Sequence, residues 1–232
     1  MNIGFDTISD LNLSIHDSFN WENKATSLYC IVAGNISHDI RAIYQTLAHL
    51  SRFYQGVFYT PGSLEYSDVS DIAKRTKELH HVSRTIRNVV LLHHHVVVLD
   101  GIAVVGANGW YCHTGTLGYI NDAESQTNRN EDIIYLRNSI DRLQRHGDVK
   151  KVVIVTNSVP SAELYFGEEP PYINDLLPLD LALASDTESK VSHWVYGTYN
   201  KEVDAVFNGI NFVNNPYFDK NPYWPKRITI EA

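Results

Sequence analysis

In five places along this 232-residue chain, a short apolar run or a turn is followed by polar residues able to bind a metal ion or a phosphate. Loops at the carboxyl ends of the strands are where α/β sheets generally place their sites. The five segments carry carboxylate, amide and hydroxyl groups in such positions. The five segments, in chain order, are Ser9–Leu13, Ala33–Ser37, Pro61–Glu65, Val155–Ser161 and Trp194–Asn200.

The run His93-His94-His95 is the other group of potential metal ligands. On a strand, His93 and His95 would share one face and His94 would point to the other. Two imidazoles without a carboxylate make a poor metal site, so we expect these histidines at the surface or at an interface. The sequence contains no glycine-rich phosphate loop and no Gly-x-Ser-x-Gly elbow, which argues against a nucleotide-binding loop and a serine hydrolase.

Alternating strands and amphipathic helices must position the five segments. The spacing of apolar residues predicts helices over Asp39–Gln55 and Asp68–Arg87, with strands at Tyr29–Ala33 and Val57–Tyr59. An Asp-Gly pair at 100–101 predicts a tight hairpin between Val96–Leu99 and Ile102–Gly106, because both turn positions favour a positive φ.

The second half of the chain is richer in strands. We expect a polar surface loop over Asn121–Asn130, a helix over Glu131–His146 and an irregular stretch over Ser161–Ser185. Predicted strands follow at Lys151–Thr156, Val191–Tyr196, Ala205–Asn208, Asn211–Val213 and Arg227–Ile230. This alternation predicts an α/β sandwich of two sheets with helices outside.

The five segments together resemble the ligand loops of calcineurin-like metallophosphoesterases, from Asp10 to Ile230. In that family the loops read Asp-x-His, Gly-Asp, Gly-Asn-His-Glu, a histidine loop ending in Pro-Ser, and Gly-His-x-His. The framework glycines and prolines of those loops are present here, at positions such as Gly34, Gly62 and Gly197. The resemblance implies one domain over residues 1–232 with a four-layer α/β/β/α sandwich, in which two mixed sheets lie between outer helices. It also implies that seven polar positions converge on one pocket: Asp10, Asn12, Asn35, Ser63, Asn157, Thr198 and Asn200.

The same resemblance indicates that the metal site is degenerate. The family uses two divalent metal ions, Mn, Fe or Zn, yet only Asp10 retains its ligand type here; Asn and Thr offer neutral, weak oxygen ligands. A leucine replaces the histidine that assists the reaction, and it cannot transfer a proton. We therefore expect no bound metal or other cofactor and no catalytic residue. The aligned positions are Asp10, Asn12, Asn35, Ser63, Leu64, Asn157, Thr198 and Asn200.

Two alternatives remain open for this group of residues. An active phosphoesterase could use an atypical metal site, with Asp10 joined by His38 or Asp39, or by ligands shifted to His16 and Asp17. Asp39 fits better in the first turn of a helix, where its charge is favourable. The emptied pocket could also bind a small polar or phosphorylated ligand weakly.

Composition limits the partners of the chain. The formal net charge of −8 argues against nonspecific nucleic-acid binding. No apolar stretch is long enough to span a bilayer and no signal peptide is recognisable, so we expect a soluble protein, cytoplasmic or associated with an assembly. Cys30 and Cys112 lie in apolar surroundings and favour free thiols.

An intact framework around a substituted site indicates a pseudoenzyme that acts through protein contacts, as an oligomer or as a component of a larger assembly such as a virus particle. The C-terminal stretch Tyr217–Pro225 is rich in Tyr, Trp and Pro. We expect it to form a loop packed on the sheet, and exposed residues of these types are common anchors at protein interfaces.

Overall fold

Two mixed β-sheets packed face to face form the centre of the molecule. The computed structural model describes residues 2–17, 19–110, 122–166, 189–217 and 222–231. The strands of the first sheet are β1 (Asn2–Ile8), β2 (Tyr29–Ala33), β3 (Gly56–Thr60), β4 (Val89–Leu91) and β11 (Lys226–Glu231). Those of the second are β5 (His95–Leu99), β6 (Ile102–Gly106), β7 (Lys151–Val155), β8 (Val191–Tyr196), β9 (Val203–Phe207) and β10 (Ile210–Asn214).

Parallel strands occupy the middle of both sheets. In the first sheet the order is β11-β1-β2-β3-β4, and only β11 runs antiparallel to its neighbour. In the second the order is β5-β6-β7-β8-β10-β9, with antiparallel strands at both edges. All the parallel strands of one sheet therefore end at the same edge.

Three helices cover the outer faces of the sheets. Helices α1 (Ile40–Leu50) and α2 (Ile72–Thr85) pack on the first sheet, and α3 (Asp122–Arg145) packs on the second. A separate apolar cluster, which includes Phe5 and Val153, fills the space between the sheets. The four layers α/β/β/α confirm the predicted fold class.

Local chemistry explains several element boundaries. Asp39 precedes α1 and its carboxylate accepts hydrogen bonds from the N–H groups of Arg41 and Ala42, which would otherwise lack partners. The predicted hairpin joins β5 to β6, with φ values of 44° at Asp100 and 85° at Gly101. Both turn residues are thus left-handed, as the Asp-Gly pair predicts.

The polar segment Asn121–Asn130 was predicted as a surface loop, and this prediction is wrong: α3 begins at Asp122 and continues to Arg145. The first turns of α3 are polar almost all round, so they lack the apolar stripe on which the sequence assignment of a helix depends. The predicted helix over Glu131–His146 corresponds to the later turns of the same element.

Cys30 is a buried free thiol, as expected, whereas Cys112 and most of Ser161–Ser185 lie outside the described residues. Within the described ranges, none of the helices is both long enough and apolar enough to cross a membrane.

Candidate functional site

All five polar segments meet at the edge where the parallel strands of both sheets end. Asp10 follows β1, Asn35 follows β2, Asn157 follows β7 and Thr198 follows β8, and hydrogen bonds join their side chains. Ser63, after β3, completes the group through its backbone and hydroxyl. We call these five residues, Asp10, Asn35, Ser63, Asn157 and Thr198, the amide cluster.

The backbone of the amide cluster is unusual. Asp10, Asn12, Asn35 and Thr198 all have left-handed φ values, between 49° and 63°. Such values are uncommon for residues other than glycine, and for a β-branched residue such as Thr198 they are outliers. Strained backbone of this kind concentrates at binding and catalytic sites. The loops after β1, β2 and β8 therefore share a backbone conformation that is frequent at such sites.

The carboxylate of Asp10 lies at the centre of the cluster and is 5% exposed. The N–H of Thr198 donates to both carboxylate oxygens at 3.0 Å. The Ser9 hydroxyl donates to Oδ2 at 2.7 Å, and the amide nitrogen of Asn35 donates to Oδ1 at 2.8 Å. Three residues of the chain thus donate four hydrogen bonds to this carboxylate.

Two side-chain amides extend the network. The Asn35 amide donates to Asp10, and its oxygen accepts the N–H of Leu64 at 3.0 Å. The Asn157 amide donates to the carbonyl of Ala33 at 2.9 Å, and its oxygen accepts the Thr198 hydroxyl at 2.8 Å. Since each amide uses both its donor and its acceptor, the two asparagines link loops from both sheets.

Two glycines allow this close approach. A Cβ added at Gly62 would lie 2.4 Å from the Asn35 side-chain oxygen, and one at Gly197 would lie 2.5 Å from the backbone oxygen of Ala33. Neither position has room for a side chain, which explains the framework glycines in the sequence pattern.

Glu65 is a second buried carboxylate, and the sequence analysis did not single it out. It accepts hydrogen bonds from the N–H groups of Asn35 at 3.1 Å, Ile36 at 2.7 Å and Gly62 at 2.8 Å, and from the Tyr59 hydroxyl at 2.9 Å. Glu65 thus holds the loop after β2 against the loop after β3. A signal was present, because Glu65 keeps the family residue type in a segment whose neighbouring site positions are substituted.

Burial determines the acidity of both carboxyl groups. It raises the pKa of Asp10 to about 6, although the hydrogen bonds from Ser9, Asn35 and Thr198 act in the opposite direction. Burial also raises the pKa of Glu65, against the donors that stabilise its charge. Among the described residues, no lysine, arginine or histidine forms an ion pair with either group.

The remaining predicted site residues lie at the margin of the cluster. Leu64 contributes its backbone N–H to Asn35, not its side chain. Asn12 is exposed and donates to the backbone oxygen of Asp10 at 3.0 Å. Asn200 is exposed, and the hydrogen bonds that define the amide cluster do not include it.

The alternative metal ligands lie outside the amide cluster; they are His16, Asp17, His38 and Asp39. Asp39 caps α1, and His38 lies 3.8 Å from Asp68 in an exposed pair. Asp17 accepts the N–H of Ser14 in an exposed turn that also contains His16. In the part of the chain that the structure describes, no group of three or more His, Cys, Asp or Glu residues is arranged to hold a metal ion.

The histidine run forms a turn, which corrects the predicted strand. Strand β4 ends at Leu91 and β5 begins at His95, so His93 and His94 lie between strands and their rings stack at 4.8 Å. His94 Nε2 lies 2.6 Å from the carboxylate of Asp132, which is 1% exposed. Sequence patterns could not reveal this pair, because its members are 38 residues apart on different elements.

The four layers, with the site at the carboxyl edge of both sheets, define a metallophosphoesterase-like fold. Solved structures with this architecture resemble the chain over nearly its whole length. The phosphopantetheinyl hydrolase of Mycobacterium tuberculosis is 16% identical, with a TM-score of 0.66, and the match covers 97% of this chain and 95% of that protein. The candidate 5′-nucleotidase of Staphylococcus aureus is 13% identical, with a TM-score of 0.59, and the match covers 100% of this chain and 51% of that one.

Sequence comparison finds a distant relative in a virus. An uncharacterized protein of Acanthamoeba polyphaga mimivirus is 22% identical, over 90% of this chain and 88% of its own length. No family model matches the sequence. At these identities the likenesses establish the fold and leave the activity to be argued from the site.

Proposed function

We propose that this protein is a metallophosphoesterase-fold pseudoenzyme, which binds no catalytic metal and acts as a structural or protein-interaction component. The observation that carries the proposal is the saturation of Asp10 by hydrogen bonds from Ser9, Asn35 and Thr198. In a working site of this fold, metal ions would take those positions around the carboxylate.

The residues present do not fit a two-metal centre. Divalent transition metals need imidazole nitrogens and carboxylate oxygens with lone pairs directed at the ion. Here the Asn35 amide directs N–H at Asp10, because its oxygen already accepts the N–H of Leu64. Turning this amide round would leave two donors facing each other at Leu64, so the hydrogen-bond network fixes its orientation. A cation would therefore meet positively polarised hydrogens.

The described residues of the amide cluster also lack the other groups that phosphoester hydrolysis uses. A metal ion would supply the Lewis acid and the activated hydroxide. At the edge of the cluster, Leu64 offers no proton to a leaving group. The amides of Asn35 and Asn157 are neutral at any physiological pH, and they neither donate a proton to an alkoxide nor deprotonate water.

A protein-interaction role is supported by the surface near the C-terminus. Trp224 is 52% exposed and lines a groove of about 420 Å³ with Pro222, Pro225 and Arg227. Exposed Trp and Arg beside rigid prolines are frequent anchors at interfaces. The relative in a virus agrees with a component of a larger assembly such as a virus particle.

The metal part of the proposal is tested with the purified protein, excess Mn²⁺, Ni²⁺ or Zn²⁺, and phosphomonoester and phosphodiester substrates. We expect no stoichiometric metal by elemental analysis and no metal-dependent turnover. The alternative, an active phosphoesterase with an atypical metal site anchored by Asp10, requires turnover that disappears in Asp10→Ala. That result would replace the pseudoenzyme proposal.

The interaction part is tested separately, by light scattering after size exclusion and by affinity capture from the native source. We expect an oligomer or a defined partner that Trp224→Ala loses. Tyr44→Ala is the matched control, because Tyr44 is an exposed aromatic residue on α1, 45% accessible and distant in sequence from the groove. A strict monomer without a partner would contradict the interaction role and leave the metal result untouched.

A further inference from the structure

A second polar cavity lies at the same edge of the fold, beyond the loop that follows β6. It has a volume of about 330 Å³, within the range of small-molecule sites, and we call it the histidine pocket. Its wall includes His93, His94, Trp110 and Asp132. The backbone oxygen of Asn108 accepts the N–H of Asn157 at 2.9 Å, so the β6 loop separates the pocket from the amide cluster.

Asp132 is held as an orienting carboxylate. One of its oxygens accepts the N–H groups of Gly109 at 2.7 Å and Trp110 at 3.2 Å, and the other faces His94 Nε2 at 2.6 Å. A carboxylate that accepts from one ring nitrogen fixes the tautomer of a neutral imidazole. In the neutral form of His94, the Nε2 atom therefore carries the proton and Nδ1 carries a lone pair.

The ring of His94 is fixed in position as well as in tautomer. His93 stacks on it at 4.8 Å and Tyr135 at 4.7 Å, and both rings lie nearly parallel to it. The backbone at His94 is left-handed, with a φ of 51°, which is costly for a residue with a side chain. The His94 side chain remains 30% exposed, and no described residue hydrogen-bonds its Nδ1 atom.

The charge of the lining favours a cation. Glu124, Glu131 and Asp132 contribute carboxylates, whereas Lys77 is the one lysine in the wall that the described residues form. Burial lowers the pKa of His93 to about 4, so this ring is neutral at physiological pH. Trp110 lies in the wall of the pocket with 5% of its surface exposed, and aromatic rings attract both cations and planar groups.

We propose that the histidine pocket is a binding site for a small organic cation, an amine attached to a planar or apolar group, whose N–H donates to Nδ1 of His94. The acidic lining stabilises the positive charge, and the wall near Trp110 and Ile72 contacts the apolar part. Asp132 acts as a positioning residue through His94. The site is independent of the amide cluster, so the outcome of the metal experiments does not bear on it.

Three probes that share a phenol ring and differ in charge test the class of ligand: tyramine, p-ethylphenol and p-hydroxyphenylpropionate. Nitrogen-detected NMR of the histidine rings, followed during titration, reports the environment of His94 Nδ1 directly. We expect tyramine to shift that resonance, p-ethylphenol to bind about tenfold more weakly, and the anion not to bind. An unchanged His94 resonance at saturating tyramine, or equal responses to the three probes, would overturn the proposal.

Two substitutions separate binding from structure. His94→Gln keeps a donor for Asp132 and removes the acceptor at Nδ1, and the control His95→Gln changes an exposed neighbouring histidine. We expect at least about a tenfold loss of tyramine affinity only in the first variant. Asp132→Asn turns an amide N–H toward Nε2, so the ring proton moves to Nδ1 and binding is lost. Tyramine affinity within about twofold of wild type in a folded His94→Gln protein would refute the proposal.

Discussion

Two buried carboxylates at one edge of this molecule differ in whether their hydrogen-bond partners leave an acceptor available to a ligand. Asp10 and Asp132 are both nearly inaccessible, and both accept backbone N–H groups from neighbouring loops. Asp10 accepts a hydrogen bond from the Asn35 amide, whose oxygen in turn accepts the N–H of Leu64 within the same group of loops. The contact of Asp132 with His94 leaves one imidazole nitrogen free of partners among the described residues.

This difference separates the shape of a loop cluster from its ability to bind a ligand. The amide cluster keeps the left-handed loops and close glycines of a site, but its polar groups satisfy one another. The histidine pocket follows no recognised motif, yet its network ends in an open acceptor beside a cavity. Whether a polar group remains available to a ligand depends on the balance of donors and acceptors around it, not on the shape of the loops.

The largest effect expected from this comparison is on stability. Asp132→Ala leaves two backbone N–H groups and an imidazole without an acceptor, and we expect a loss of about 3–4 kcal/mol in the free energy of unfolding. Asp10→Ala also removes a buried charge whose pKa is raised, so we expect a smaller loss of about 1 kcal/mol. Urea denaturation at pH 7 measures both. Equal losses would show that the two carboxylates do not differ as described.

Restoring the family ligands should convert the amide cluster into a metal site. We consider a variant in which all the substituted ligand positions are changed back to the family residues. Without metal, we expect this variant to be less stable than the wild type, because Asn35→Asp places a second carboxylate beside Asp10. With Mn²⁺ at about a hundred times its Kd, the variant should gain about 3 kcal/mol, whereas the wild type should gain none. Thermal unfolding with and without Mn²⁺ tests this, and a gain in the wild type would contradict the pseudoenzyme proposal. The substitutions are Asn12→His, Asn35→Asp, Ser63→Asn, Asn157→His, Thr198→His and Asn200→His.

The raised pKa of Asp10 predicts a pH dependence of stability. The pKa is about 6 in the folded chain and near 4 in an unfolded one, so the folded state binds the proton more tightly. The resulting stabilisation is complete below about pH 4 and is lost as the pH rises through 6. Relative to Asp10→Asn, the wild type should lose about 2–3 kcal/mol between pH 4 and pH 7. A constant difference between the two proteins across this range would show that Asp10 has an ordinary pKa.

The smallest effect concerns the glycines that let the loops meet. Gly197→Ala would place a methyl group against the backbone oxygen of Ala33, so we expect a loss of about 2 kcal/mol. Gly147→Ala is the control, because nothing lies within 4 Å of the added group and a change within about 0.5 kcal/mol is expected there. Denaturation curves compare them, and equal behaviour would mean that the loops around the cluster can separate freely.

The sequence was informative where local chemistry determines structure. The Asp100-Gly101 turn and the strand Tyr29–Ala33 were predicted correctly, because turn propensity and apolar runs are properties of neighbouring residues. The predicted convergence of seven positions on one pocket relied on the family resemblance. Hydrogen bonds bring together Asp10, Asn35, Ser63, Asn157 and Thr198, whereas Asn12 and Asn200 lie exposed at the margin.

Other features depend on contacts between distant residues and left no local pattern. The first turns of α3 lack an apolar stripe, and the pairing of His94 with Asp132 joins a turn to a helix on another layer. The family residue type marks Glu65, but its role in joining two loops does not follow from its own segment, because three of its four donors, Asn35, Ile36 and Tyr59, lie elsewhere in the chain. Such features follow from the packing of whole elements.

The four hydrogen bonds of Glu65 have a consequence for how this chain reaches its folded state in a cell. The loop after β2 is joined to the loop after β3 by groups that the polypeptide carries from the moment of its synthesis. Under the pseudoenzyme proposal, folding of this protein would need no metal supply, in contrast to proteins whose bound ions contribute to folding.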